Sequence, residues 1–169
     1  MENLPLFTEP VMVCGLDISK KPEQTLLTLI YSTDSKAAWY SYEIETIRSD
    51  GGNLIEKIQF AFNSALNNFK ELNKTLPKRI IIYWDGMSKG DHSYAKHQEF
   101  DTIKEVASKE GIAKVHYIVC KKKESAKFFK TNGTNFSNPE PGTIITSEVV
   151  ENWEKELEGY KTCEFYLLS

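Results

Sequence analysis

Two aspartates stand where this chain could do chemistry. Val11-Met12-Val13-Cys14-Gly15-Leu16-Asp17-Ile18 and Arg79-Ile80-Ile81-Ile82-Tyr83-Trp84-Asp85-Gly86 are apolar runs, each interrupted by one acidic residue. Such a run reads as a fully buried central strand. An aspartate at its carboxyl end sits at the sheet edge where open α/β sheets carry their chemistry. Two strands that each deliver a carboxylate suggest a metal-binding pair, because hard divalent cations take oxygen ligands. Taken alone, each could equally cap a turn, since Asp-Gly is ordinary turn chemistry. The one dense basic cluster is Lys121, Lys122, Lys123 and Lys127, with Ser125 among them. It fits either phosphate contact or a solvated charged turn.

The chain has 169 residues, 40% apolar and 27% charged, which suits one domain with a real core. A net charge of -3 gives no global basic signature, although local patches matter more than totals for nucleic-acid binding. Cys14, Cys120 and Cys163 share no close spacing, and no C-x-x-C or H-x-x-x-H pair exists, which argues against zinc. Cys14 and Cys120 lie in apolar runs and read as buried thiols of a reducing compartment. No charged-then-apolar leader opens the chain, and no apolar run approaches the length of a membrane span. The expectation is a soluble intracellular protein, cytoplasmic or nuclear, with no membrane partner.

The elements that must position the aspartates are legible from period. Residues 1–10 form an irregular lead-in. Strands at 11–18, 25–31 and 38–44 are separated by short turns and predict an antiparallel meander. In the third, Trp39, Tyr40 and Tyr42 are expected to lend Trp39 or Tyr40 to the core, with base stacking as the other use. Leu54, Ile55, Ile58, Phe62, Ala65, Leu66, Phe69 and Leu72 recur at helical spacing. That helix is a crossover, so the strand at 79–84 should run parallel to the first. A glycine-punctuated loop at 86–91, a helix at 92–109 and a strand at 115–120 follow. Residues 131–142 read as a long loop, 143–146 as a short strand, 148–160 as an acidic amphipathic surface helix and 164–168 as a last strand.

This order resembles the ribonuclease H-like plan: an α/β fold whose mixed sheet, antiparallel in strands one to three and parallel in four and five, is flanked by helices. Its first and fourth strands carry metal-binding aspartates in that plan. Specific blocks narrow the resemblance. Val13-Cys14-Gly15-Leu16-Asp17-Ile18-Ser19 resembles the G-x-D-V-S/T opening of the Piwi domain of Argonaute proteins. The run from Arg79 to Gly90 is similar to that domain's R-I-I-x-Y-R-D-G-V-S-E-G. Tyr117 to Lys123, with Lys127-Phe128-Phe129, resembles I-V-V-x-K-R-H-x-T-R-x-F. Asn138 to Ile145 resembles N-x-x-P-G-T-x-V, and Glu164 to Ser169 resembles D-F-Y-L-x-S. Five blocks in order across 11–169 identify a partial Piwi domain, ending before the domain's C-terminus.

The resemblance implies small-RNA-guided silencing, with a small guide RNA and a target RNA as partners and silencing proteins beside them. Active members hydrolyse the target through two divalent cations, Mg2+ or Mn2+. Asp17 and Asp85 match two catalytic, metal-holding positions. Asn53 falls at the expected glutamate, a neutral amide in place of a charge, with Glu56 and Asp50 as neighbouring substitutes. The fourth group follows the D-F-Y-L-x-S block, and the chain stops at Ser169. Trp84 replaces the family's arginine, and Glu124 its histidine. The basic cluster, Lys121, Lys122, Lys123, Ser125 and Lys127, matches guide-phosphate contacts. Three readings stand here: a silencing domain that binds RNA without cutting, an active metal-dependent RNA endonuclease, and a partial product that keeps the fold but binds no nucleic acid.

Overall fold

A computed structural model describes residues 8–48, 52–85, 95–120, 127–145 and 166–167. They fall into two units, Met1–Lys123 and Glu124–Ser169.

In the first unit five strands form one sheet. β1 (Val11–Lys20), β2 (Gln24–Ser32) and β3 (Tyr40–Arg48) are the meander. Helix α1 (Leu54–Asn73) leads to β4 (Arg79–Asp85), and α2 (Ala95–Lys109) to β5 (Lys114–Cys120). The strand order is β3-β2-β1-β4-β5. β1–β2 and β2–β3 pair antiparallel, and β1–β4 and β4–β5 pair parallel, as the resemblance implied. Short turns permit the antiparallel pairs, whereas each parallel pair needs a helix to carry the chain back.

Strand alternation sorts the side chains onto two faces. Met12, Cys14, Leu16, Leu27, Leu29, Tyr31, Ile80, Ile82 and Trp84 join Ile58, Phe62, Leu66 and Phe69 of α1 and Ile103 and Val106 of α2 in one core. Both helices therefore cover the same face of the sheet. The opposite face is only partly covered: Val11 and Ile81 are buried on it, whereas Leu26, Ile30, Tyr40, Tyr42, Ile44 and Tyr83 are exposed.

This corrects two expectations. Trp39 is 74% exposed and Tyr40 52% exposed, so neither packs the core. β4 is buried on both sides only as far as Ile82: Ile81 is 5% exposed on the second face, whereas Tyr83 is 45% exposed there. β3 also begins two residues later than expected. Asp34 accepts hydrogen bonds from the backbone N–H groups of Lys36, Ala38 and Trp39, holding the chain in a turn through Trp39. Cys14 is buried as expected, and burial pushes its thiol pKa well up, whereas Cys120 is only half-buried. Among the described residues no helix is long and apolar enough to cross a membrane.

In the second unit the expected loop at 131–142 contains a hairpin, β6 (Lys130–Thr131) and β7 (Phe136–Ser137). Asn132 Oδ1 accepts from the Asn135 N–H at 2.9 Å, and Gly133 supplies the positive φ of 96° that closes the turn. β8 (Ile144–Ile145) pairs antiparallel with β9 (Tyr166–Leu167), at the places expected for the last two strands. The surface helix expected at 148–160 lies outside the described residues.

Candidate functional site

The parallel register brings the two aspartates together. Gly15 pairs with Tyr83 and Leu16 with Trp84; one step further along both strands are Asp17 and Asp85. Across their other neighbours, Asp17 pairs with Thr28 on β2 and Asp85 with Cys120 on β5. Thr28, Asp17, Asp85 and Cys120 thus form one row across the carboxyl ends of β1 and β4. Asp17 follows Leu16, which faces the helices, so Asp17 lies on the other side of the sheet. Asp17 is exposed there. Asp85 closes β4, and its side chain lies outside the described residues.

Trp84, one residue earlier, faces the helices and is 6% exposed. Its ring meets Tyr117 edge-on at 5.6 Å between centroids, and Phe100 lies 5.0 Å from Tyr117. The departure from the family's arginine therefore alters the packing beneath the strand, not the row that carries Asp17 and Asp85. Burial pushes the Tyr117 pKa up, and the charge of Glu99 adds to this.

Asn53 is the N-cap of α1. Its extended backbone (φ -98°, ψ 113°) leaves Oδ1 free to accept from the Ile55 N–H at 3.0 Å. Its Nδ2 donates to Glu56 Oε1 at 3.1 Å. An N-cap asparagine followed three residues later by glutamate is a variant of the capping box, here closed side chain to side chain. One interaction engages both the residue at the glutamate position and one of its two neighbouring substitutes. The N-x-x-E spacing was a sequence signal for this cap. Gly52 fixes where the cap sits: its N–H donates to the Arg48 carbonyl at 3.2 Å, and a Cβ there would drive into Ile47 Cγ2.

Among the described residues no group of three or more metal-ligating side chains comes together. Asn53, which the resemblance sets at a glutamate position, is a neutral amide engaged at a helix end. Asp50 lies outside the described residues. So do Lys121, Lys122, Lys123 and Ser125, which follow directly on Cys120, the β5 partner of Asp85. Lys127 is described, exposed, and belongs to the second unit.

A family model described as "Piwi domain" matches residues 2–168. The chain is 30% identical over 168 residues to Piwi-like protein 1 of Schmidtea mediterranea, covering 95% of this chain and 19% of that protein. Among solved structures it resembles the crystal structure of Drosophila Piwi, with a TM-score of 0.63 and 25% identity, over 98% of this chain and 22% of that one. It also resembles Kluyveromyces polysporus Argonaute, solved with a guide RNA, with a TM-score of 0.60 and 21% identity. That match covers 83% of this chain and 18% of the other. The mixed sheet is thus ribonuclease H-like, as in these structures, and the chain spans only a minor part of each relative's length.

Proposed function

The chain belongs to the Piwi domain family, and on that premise we propose that it helps hold a guide strand on its target RNA in small-RNA-guided silencing without cutting that target. The observation that carries the second half is the Asn53–Glu56 pair. Two-cation hydrolysis needs carboxylates to offset the metal charge and orient the attacking water. An amide supplies no charge. Glu56 is engaged at the start of α1 rather than free to replace it. Coupled catalytic groups fail together, so two retained aspartates do not keep part of the activity. Asp17 and Asp85 still suit one Mg2+ or Mn2+ as a structural or phosphate-bridging ion.

The holding half is supported by kinship and by charge. Kluyveromyces polysporus Argonaute, of the same fold, was solved with a guide RNA. In this chain Lys121, Lys122, Lys123 and Lys127, with Ser125, are the side chains suited to backbone phosphates. Lysine binds phosphate as a point charge, without sequence preference.

Both halves are testable on the 169-residue chain. With Mg2+ or Mn2+, a guide-matched target stays intact; robust cutting abolished by Asp85→Ala would defeat the non-cutting reading. Binding to a small-RNA duplex should weaken as salt rises. Lys123→Ala with Lys127→Ala should lower the salt slope by about one for each phosphate no longer neutralised. Binding untouched by salt or by both substitutions would defeat the holding reading.

A further inference from the structure

Asn132-Gly133 is the one Asn-Gly step in the chain, and it sits at the tip of the β6–β7 hairpin. An asparagine side chain can be attacked by the backbone nitrogen of the residue that follows it. The reaction needs a side chain folded over the next peptide, an unobstructed nitrogen and access to water. The hairpin supplies all of these. Asn132 Oδ1 accepts from the backbone N–H groups of Asn135 at 2.9 Å and Thr134 at 3.3 Å, and from Thr134 Oγ1 at 3.4 Å. These bonds fold the amide over the Gly133 peptide. They also aim donors at the oxygen on which negative charge develops when Cγ is attacked. Gly133 has no Cβ, and nothing lies within 4 Å of where one would stand. Its N–H donates to Thr131 Oγ1 at 3.0 Å. That bond runs along N–H, so the faces of the peptide plane stay clear. Residues 131–136 are all exposed, so water reaches the site.

Each of the other described asparagines lacks one of these conditions. Asn63, Asn67 and Asn68 lie within α1, where the next N–H is held in the helix hydrogen bonds. Asn73 Nδ2 is tied to the carbonyls of Thr33 at 2.7 Å and Phe69 at 2.8 Å. Asn53 and Asn135 are followed by Leu54 and Phe136, whose side chains crowd the nitrogen. Asn138 precedes Pro139, which has no N–H to lose.

We propose that Asn132 is a spontaneous modification site, at which the hairpin converts its own asparagine to aspartate and isoaspartate. The Gly133 nitrogen gives its proton to solvent base and bonds to Asn132 Cγ. The Cγ–Nδ2 bond then breaks, and Nδ2 leaves as ammonia after taking a proton from water. The product is a cyclic imide. Water opens one of its two ring C–N bonds: one opening leaves an aspartate, the other an isoaspartate whose main chain runs through the former side chain. No oxidant, enzyme or cofactor enters. Both products put a carboxylate where the turn held a neutral amide. Isoaspartate also lengthens the main chain by one methylene, at a turn that joins strands of only two residues each. The pairing of Thr131 with Phe136 then loses the turn that sets it. The hairpin thus carries a slow, one-way change that needs no RNA and stands apart from the guide-holding reading.

Incubation of the 169-residue chain in water enriched in heavy oxygen, followed by peptide mapping, tests this. The incubation runs until half of a free peptide of residues 130–137 has converted. By then Asn132 of the folded chain should have converted ahead of every other described asparagine. It should carry one solvent oxygen and give isoaspartate as well as aspartate. Gly133→Ala should slow the conversion by roughly an order of magnitude, because a Cβ crowds the attacking nitrogen. A methyl group at φ 96° also strains the turn, so Asn132→Gln serves as the second variant. Its longer side chain must close a larger ring, and the site should stay unconverted over the same period. An Asn132 that stays intact, conversion that appears first at Asn63 or Asn138, a product that is aspartate alone, or a rate that both variants leave unchanged would overturn the proposal.

Discussion

Asn53 offers the sharpest test of how the candidate site is built. The helix it caps carries Ile58, Ala61, Phe62, Ala65, Leu66 and Phe69, all buried, so its first turn is coupled to the core. Replacing an N-cap asparagine by alanine typically costs about 1 kcal/mol. The Nδ2 bond to Glu56 is exposed and adds only a few tenths, roughly as for other surface pairs. Asn53→Ala should therefore lower stability by about 1–1.5 kcal/mol, which for a chain of this size lowers Tm by roughly 2–6 °C. Asn53→Asp keeps the accepting oxygen and places a negative charge at the positive end of the helix, worth about 0.3–1 kcal/mol. It loses the donor to Glu56 and sets two carboxylates side by side. Its net effect should be within about 0.5 kcal/mol of zero. Asn53→Glu restores a carboxylate of the family's type but is a poor cap, so it should destabilise like alanine. Urea unfolding followed by circular dichroism measures all three. If Asn53→Ala is neutral, or Asn53→Asp falls as far as Asn53→Ala, the cap carries no energy, and Asn53 is not committed to the helix start.

Two further outcomes follow from local geometry. Gly52→Ala should cost about 1–3 kcal/mol by overpacking, because its Cβ meets Ile47 and the Arg48 backbone. Gly15→Ala, on β1 with open space around its Cβ, should be neutral or stabilising in the same urea titration. Burial raises the Asp34 pKa, but the backbone N–H groups of Trp39, Lys36 and Ala38 outweigh it and hold the carboxyl below its ordinary 3.8. A depressed value gives stability that is present above pH 3.8 and lost as pH falls through the folded-state value. Between about pH 5 and about pH 2.5 the parent should therefore lose more stability than Asp34→Asn, and equal losses would contradict the turn's role.

The sequence by itself determined the element order of the first unit, its parallel and antiparallel split and the family. These are written in local patterns: apolar runs ending at Asp17 and Asp85, a 3.6-residue stripe from Leu54 to Leu72, and motif blocks in a set order. Each depends on neighbours along the chain. The pairing of Leu16 with Trp84, which carries Asp17 and Asp85 to adjacent places, depends on register between strands more than sixty residues apart. No single stretch encodes it. The same holds for the second face of the sheet. Alternation at Tyr40, Tyr42 and Ile44 reads identically whether a helix covers that side or not, and among the described residues both α1 and α2 pack on the opposite side, leaving these three side chains exposed. Trp84 and Tyr83 are neighbours in one apolar run, yet one lies under the helices and the other is exposed for that reason. Asn53 was visible as a neutral residue at a charged position. That its amide is engaged at both ends, by the Ile55 N–H and by Glu56, emerged only once the helix start had a geometry.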